Sequence, residues 1–355
     1  MMEQPMGQSL YHQKGLLFFL RYFWHGKNLL KKFDRSDITK EKIFYFCENS
    51  LKGSYHKKSA QRYCFYCFNA NKKLNFMENQ SKPILVPTDF TVVSQYAIES
   101  AVPFAKASNA EVVLLHIVKK SSEIPEAITK VELEAEKLTK EHGVTMKGIV
   151  REGTIFTAVG EAVTELDASL VFMGTHGITG LQKLTGSWAL KVILSSKAPI
   201  IVAQTHPKKM SVNRIAFPID YKRENREKIG WAYYVAKMFN AKVYVFRAEP
   251  AKDRKIEQNI RTNLVFTERF LRSKNVDFEV AVAKGNESFA KESVQYAEEI
   301  NADLVLITTT KLVTKIDFVL GPPVEQTIIN NEFNIPVMCI NPRKGKIDGF
   351  SATGG

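Results

Sequence analysis

Cysteine is scarce in this chain. It has four in 355 residues, and three of them (Cys47, Cys64 and Cys67) fall in the first 76, leaving Cys339 alone in the remainder. That distribution excludes a disulfide framework, suits a reducing compartment and predicts a cytoplasmic protein. Long apolar runs are missing as well. Leu16 to Leu20 gives five apolar residues before Arg21, far short of the ~18 that a membrane span needs. No membrane partner is expected. Acidic residues are outnumbered, 37 against 50 Lys and Arg, for a net charge of +13. Such an excess usually points to an anionic polymer. Here 14 Lys/Arg and 5 Asp/Glu give residues 1–76 a net +9, so the other 279 residues carry only +4. The basicity belongs to one end, and no nucleic-acid partner is expected for the rest.

Hydrophobic content of 45% and charged content of 25% are those of an ordinary globular protein. The length suggests two domains at roughly 150 residues each. Residues 1–76 are aromatic and basic, as in Phe18-Phe19-Leu20-Arg21-Tyr22-Phe23-Trp24, without a sustained helical or strand period. They are expected to be weakly structured. Cys64-Phe65-Tyr66-Cys67, with Cys47 and His56 nearby, supplies one paired spacing where a structural zinc site shows two, so no metal is assigned. Met77-Glu78-Asn79-Gln80-Ser81 reads as a natural protein start, which makes the first 76 residues an artefact of start-site choice. Residues 343–355 read as a flexible tail.

From Pro83 the pattern is regular. Short apolar runs at 84–86, 111–118, 144–151, 170–173 and 199–202 alternate with helical stretches at 92–107, 124–142 and 154–166, and with a further helix from Trp188 to Ser196. Strands alternating with helices predict an α/β fold with a mostly parallel sheet. The programme then repeats. Arg214 to Asp220 echoes Lys82 to Asp89, Lys242 to Arg247 echoes the second strand, and Asn301 to Ile307 parallels Asp167 to Met173. Helices are expected at 253–273 and 287–300, with strands at 278–283 and 335–340. Two domains are therefore expected, 82–204 and 212–342.

One stretch carries the chemistry. The strand Leu170 to Met173 ends in Gly174 and Gly177, and after a short connection Gly186-Ser187 opens the next helix. Glycines let a backbone approach an anion, and free amides at a helix start point a positive end at it. This layout reads as a phosphate cradle; the plain alternative is a strand-to-helix turn capped by Ser187. Asp89 ends the first strand, where open α/β sheets bind ligands. It would accept from sugar hydroxyls or hold Mg²⁺ through water, with helix capping as its alternative role. His116 and His176 have no evident carboxylate or nucleophile partner, so no catalytic residue is assigned. In the second half the counterpart stretch is Thr308-Thr309-Thr310-Lys311, then nine residues, then Gly321-Pro322. Both early glycines are absent and Pro322 removes an amide donor, so this half is expected to be degenerate.

Taken together, Val86-Pro87-Thr88-Asp89, Leu114-Leu115-His116-Ile117, Met173-Gly174-Thr175-His176-Gly177 and Gly186-Ser187 resemble the universal stress protein family in a two-domain arrangement. The resemblance spans roughly residues 82–342. It implies two doubly wound domains, each with a five-stranded parallel sheet and helices on both faces, paired through their last strands within one chain; a homodimer and an unidentified protein partner are further implied. Nucleotide-binding members carry G-x2-G-x9-G-[ST]. Gly174, Gly177, Gly186 and Ser187 match it, with eight residues rather than nine before Gly186. The match implies an ATP site, with Mg²⁺, built from Pro87, Thr88, Asp89, Ile117, Met173, Gly174, His176, Gly177, Gly186, Ser187 and Trp188. Ile117 would offer its backbone to adenine, and Pro87 and Met173 would line the base, core packing being their alternative. Trp188 reads more naturally as core. A regulatory, non-enzymatic role is expected, with at most slow ATP hydrolysis. The alternatives are a nucleotide-free interaction module and an adenine-nucleotide enzyme on the same scaffold. The HxGH and SGGxDS signatures of such enzymes are absent from Pro87-Thr88-Asp89-Phe90.

Overall fold

Short runs of branched apolar residues between polar turns form strands wherever both faces of a sheet are covered. Ten such runs do so among the described residues. The structure, a computed structural model, describes residues 81–175, 186–309 and 324–342, with side chains described from 189 and from 325 in the last two segments. The calls on residues 1–76 and 343–355 lie outside the described residues. The first half runs β1 (Ile84–Thr88), α1 (Val92–Ser108), β2 (Val112–Val118), α2 (Ile124–His142), β3 (Met146–Glu152), α3 (Ile155–Glu165), β4 (Leu170–Gly174), α4 (Gly186–Ser195) and β5 (Ile200–Ala203). The second runs β6 (Arg214–Ile219), α5 (Ile229–Phe239), β7 (Lys242–Arg247), α6 (Arg254–Ser273), β8 (Phe278–Val282), α7 (Phe289–Glu299), β9 (Leu304–Thr308), α8 (Val324–Ile329) and β10 (Val337–Ile340). The sequence pattern assigns no element to 221–241, where α5 forms. Gly230 and a run of aromatics blur its helical period.

Local chemistry sets the boundaries. Thr91 caps α1 by accepting from the Ser94 amide, and Asn109 ends that helix in the left-handed conformation (φ 52°). Gly143 (φ 65°) closes α2, a conformation that glycine adopts without a Cβ penalty. Asp253 caps α6 by accepting from the Lys255 and Ile256 amides. Ser288 caps α7 through the Lys291 amide. Gly148 lets α2 lie close on β3, since a Cβ there would sit 2.7 Å from Val131 Cγ1.

The strands make one sheet in the order β3-β2-β1-β4-β5-β10-β9-β6-β7-β8. Every pairing is parallel except β5 with β10, where Val202 faces Val337 and Ile200 faces Cys339. The two five-stranded sheets that the resemblance implies, paired through their last strands, are here continuous as a single ten-stranded sheet. The reason is physical: β5 and β10 are apolar and fully buried, and pairing them removes two open edges. Helices α1, α2, α5 and α6 cover one face over a core that includes Ala101, Val131, Ala232 and Leu271. Helices α3, α4, α7 and α8 cover the other, over Val159, Leu190, Ala297 and Ile328. Each core layer draws on both halves. Phe104 of α1 packs edge-on against Phe172 at 5.1 Å and against Phe239 of α5 at 4.9 Å. No helix among the described residues is long and apolar enough to cross a membrane.

Because both halves share the sheet and its cores, urea unfolding of the full chain is expected to show one transition for residues 81–342. Phe104→Ala should lower its free energy by about 3–5 kcal/mol. Two resolved transitions, one of them untouched by the substitution, would contradict a shared core.

Candidate functional site

In each half the chain winds from its first strand outward in one direction and then returns to the other side. The order reverses between β1 and β4, and again between β6 and β9. Strand ends on either side of such a reversal leave a crevice beyond their carboxyl termini, the usual ligand position in open α/β sheets. Asp89 follows β1 at the first crevice and Gly174 ends β4 beside it. Asp220 and Thr308 hold the matching places in the second.

The first crevice is bordered by a tight turn. Only residues 89–91 separate β1 from α1. Phe90 completes this turn at φ 63°, a strained backbone for a bulky residue. Its ring is held by His116 at 4.6 Å and by the Lys130 ammonium at 4.0 Å. Asp89 is exposed. Its Oδ1 accepts from the Thr91 amide (3.1 Å) and hydroxyl (2.6 Å), so one carboxylate oxygen braces the capping residue while Oδ2 carries no protein hydrogen bond among the described residues. Partial burial raises its pKa, but hydrogen bonding, led by the Thr91 hydroxyl and amide, outweighs this and holds the carboxyl below its usual range. Asp89 is therefore a fixed, ionised acceptor.

The other sequence-derived residues divide by exposure and bonding. The Thr88 side chain is buried and its hydroxyl is taken up by Ser94 (3.1 Å) and the Phe90 amide (3.2 Å). Its carbonyl meets His116 Nδ1 at 2.8 Å, so His116 holds the turn. Pro87 is buried, and Met173 (5% exposed) packs in the core with Leu85 and Val171, which favours the packing role for both. Ile117 is partly exposed. The β1–β2 ladder ends at Thr88 with His116, whereas β2–β3 continues to Val118. Ile117 thus extends past β1 with no ladder partner on that side. Gly174 is required by packing: a Cβ would lie 2.1 Å from the Val93 carbonyl oxygen in the first turn of α1. Thr175 donates its amide to Ala203 (3.0 Å), and its hydroxyl is buried with no partner among the described residues. Gly186 and Ser187 open α4. His176, Gly177 and the Trp188 side chain lie outside what is described. Among the described residues no cluster of three His, Cys, Asp or Glu side chains is arranged to hold a metal.

The second crevice has different contents. Nine residues, 220–228, separate β6 from α5, against three in the first half, and the extra chain folds over the reversal point. Thr308 Oγ1, at the end of β9, donates to the Glu224 carbonyl (3.3 Å). Asn225 donates to the Asp220 carboxylate and to the Lys222 carbonyl (2.8 Å). Asn263 of α6, 1% exposed, donates to the carbonyls of Asp220 (3.0 Å) and Lys222 (2.8 Å) and accepts from Arg226 Nε (3.0 Å). Lys228, 2% exposed, donates to the Pro218 carbonyl and lies 4.7 Å from the centre of the Phe217 ring. Desolvation lowers its pKa to about 7, against the opposing pull of Asp220. Asp220 Oδ1 serves this network, also accepting from the Lys222 amide (2.8 Å). Sequence reasoning missed Lys228, Asn225 and Asn263; the available signal was the longer connection between strand and helix.

Comparisons with known proteins bear on the first half most directly. The universal stress protein family is matched over residues 80–204, the span of β1 to β5. A universal stress protein of Methanocaldococcus jannaschii is 33% identical, with 37% of this chain and 86% of that protein covered. One from Synechocystis is 27% identical, covering 34% of this chain and 84% of the relative. The crystal structure of a universal stress protein from Archaeoglobus fulgidus shares the fold across 74% of this chain and 97% of its own, with a TM-score of 0.61 at 19% identity.

Between pH 7 and the 10.5 of a free lysine, the unfolded chain holds a proton on Lys228 that the folded chain has lost. Folding stability from this group therefore rises with pH across that window, by up to about 1.4 kcal/mol per unit. Lys228→Met removes this component. Its stability relative to wild type should fall between about pH 7 and about pH 9.5, read from urea midpoints; a pH-independent difference would contradict the burial of this amine.

Proposed function

We propose that this chain, which belongs to the universal stress protein family, is an ATP-binding regulatory protein of the cytoplasm that acts in stress adaptation and carries its nucleotide in the first half. The second half reads as a diverged copy of the same domain, kept as a structural partner. The observation that carries this reading is the contrast between two equivalent crevices. In the second, residues 220–228 and Asn263 fill the strand-order reversal with their own hydrogen bonds. In the first, a three-residue turn leaves Asp89 exposed beside the start of the glycine-containing stretch.

Each group has a task suited to its surroundings. The ionised Asp89 accepts from ribose hydroxyls through Oδ2 while Thr91 fixes Oδ1. The backbone of Ile117, beyond the end of β1, meets the adenine edge. Gly177, Gly186 and Ser187 would offer main-chain amides to the phosphates at the N-terminal end of α4, where the first amides of a helix and its dipole favour negative charge. The buried, unpartnered Thr175 hydroxyl at the entry to this stretch is a further polar group that suits an anionic ligand. Mg²⁺ would arrive with the phosphates and reach Asp89 through water, as a hard cation that keeps much of its hydration shell. Binding would change the surface offered to a protein partner.

Equilibrium binding of labelled ATP to the full chain tests this. Wild type should bind; Asp89→Ala should weaken binding by about tenfold or more, the scale of a hydrogen bond to a charged group; Gly177→Val should abolish it. No binding by wild type at about millimolar ATP would overturn the proposal in favour of a nucleotide-free module. Rapid turnover would overturn it in favour of an enzyme.

A further inference from the structure

Two side-chain amides cross the seam between the halves at matching places. Gln204, directly after β5, donates through Nε2 to the carbonyls of Ile329 (3.0 Å) and Asn331 (3.3 Å), at the end of α8. Asn341, directly after β10, donates through Nδ2 to the carbonyls of Ile193 and Ser196 (2.8 Å), at the end of α4. Each half thus caps the last carbonyls of a helix belonging to the other. The Ile193 carbonyl also accepts from the Ser196 amide (3.2 Å) and the Asn331 carbonyl from the Asn334 amide (3.2 Å), so the side-chain amides complete helix ends that the backbone satisfies only in part. A helix of ten residues such as α4 is also too short to hold its shape without outside contacts.

The match between the halves is incomplete, and the difference falls on Asn341. Thr309 and Thr175 hold equivalent positions, each donating its amide to the last residue of the neighbouring strand, Ile340 (2.9 Å) and Ala203 (3.0 Å). Thr309 also donates its hydroxyl to Asn341 Oδ1, whereas the Thr175 hydroxyl has no partner among the described residues. Asn341 is therefore held from behind by Thr309 while its amine side grips α4. Ile193 and Ser196 are 0% and 4% exposed, so water has little access to replace the lost donor.

We propose that Asn341 is a positioning residue for the nucleotide site: it fixes α4 from the second half, so that nucleotide affinity in the first half depends on an amide carried by the second. This rests on the reading of the N-terminal end of α4 as a phosphate-facing group. It gives the second half a task beyond filling the sheet. Because linkage is reciprocal, ligand at the first half must also strengthen the Asn341 contacts and, through Thr309, steady the end of β9.

Hydrogen exchange of the nucleotide-free full chain reads the first step without any ligand. Asn341→Ala should raise exchange of amides in 189–196 by about tenfold, the scale of one lost hydrogen bond, while β1 and β6 stay protected. Asn341→Asp, which matches the amide in shape and keeps the acceptor for Thr309, should do the same and serves if the alanine variant does not fold. Asn341→Gln should restore most of the protection. ATP affinity of Asn341→Asp should fall in step by about tenfold, with the ATP affinity of Thr309→Val falling less. Unchanged exchange in 189–196 in the aspartate variant overturns the inference, as does faster exchange with unchanged ATP affinity. Absence of ATP binding by wild type overturns the nucleotide reading itself, and the exchange data then still decide whether Asn341 fixes α4.

Discussion

The antiparallel pairing of β5 with β10 is the contact on which the rest of the architecture depends. Both strands are short, apolar and buried on each face, so neither is stable as an open edge in water. Joining them makes one sheet of ten strands and forces each covering layer to be built by helices of both halves. It also places the residue after each strand, Gln204 or Asn341, against the end of a helix from the opposite half. Communication between the halves needs no added device, because the seam is already part of the core.

The same strand order run twice makes two crevices, and side-chain chemistry makes them unlike. A nine-residue connection in the second half allows a polar network to close over the reversal point, at the cost of burying a lysine. An ammonium group in that position is tolerated because the Pro218 carbonyl accepts from it and Asp220 supplies opposing charge. The three-residue connection in the first half leaves no chain to do this. It instead strains Phe90 into the left-handed region, which fixes Asp89 at the crevice edge with one oxygen committed and one free. Strain held at such a position is what a preformed acceptor site requires.

Most of the fold was legible from periodicity. The strands at 84–88, 112–118 and 170–174 and the helices at 92–108 and 124–142 fall within a residue or two of where apolar runs and capping residues put them. Pairing of the halves through their last strands came from the family resemblance and not from periodicity, since strand partners are set by long-range burial that a linear pattern does not encode. Helix α5 was missed because aromatics and Gly230 disturb its period. At the site, the place of Asp89 follows from its position at a strand end, which the sequence shows; Ile117 came from the family resemblance alone, and its unpaired reach past β1 is visible only in the ladder register. For Gly174 the structure adds a constraint that the sequence does not show: its missing side chain admits the Val93 carbonyl, a tertiary contact. The polar plug of Lys228, Asn225 and Asn263 had no motif, only the longer connection between a strand and its helix.

The central claim is that one crevice of two accepts an adenine nucleotide. Native mass spectrometry of the full-length protein, purified without added ligand and then titrated with ATP, counts this directly. One nucleotide per chain is the expected result. Two per chain would show that the polar network of the second half does not close its crevice, and none would show that the first half is not a nucleotide site.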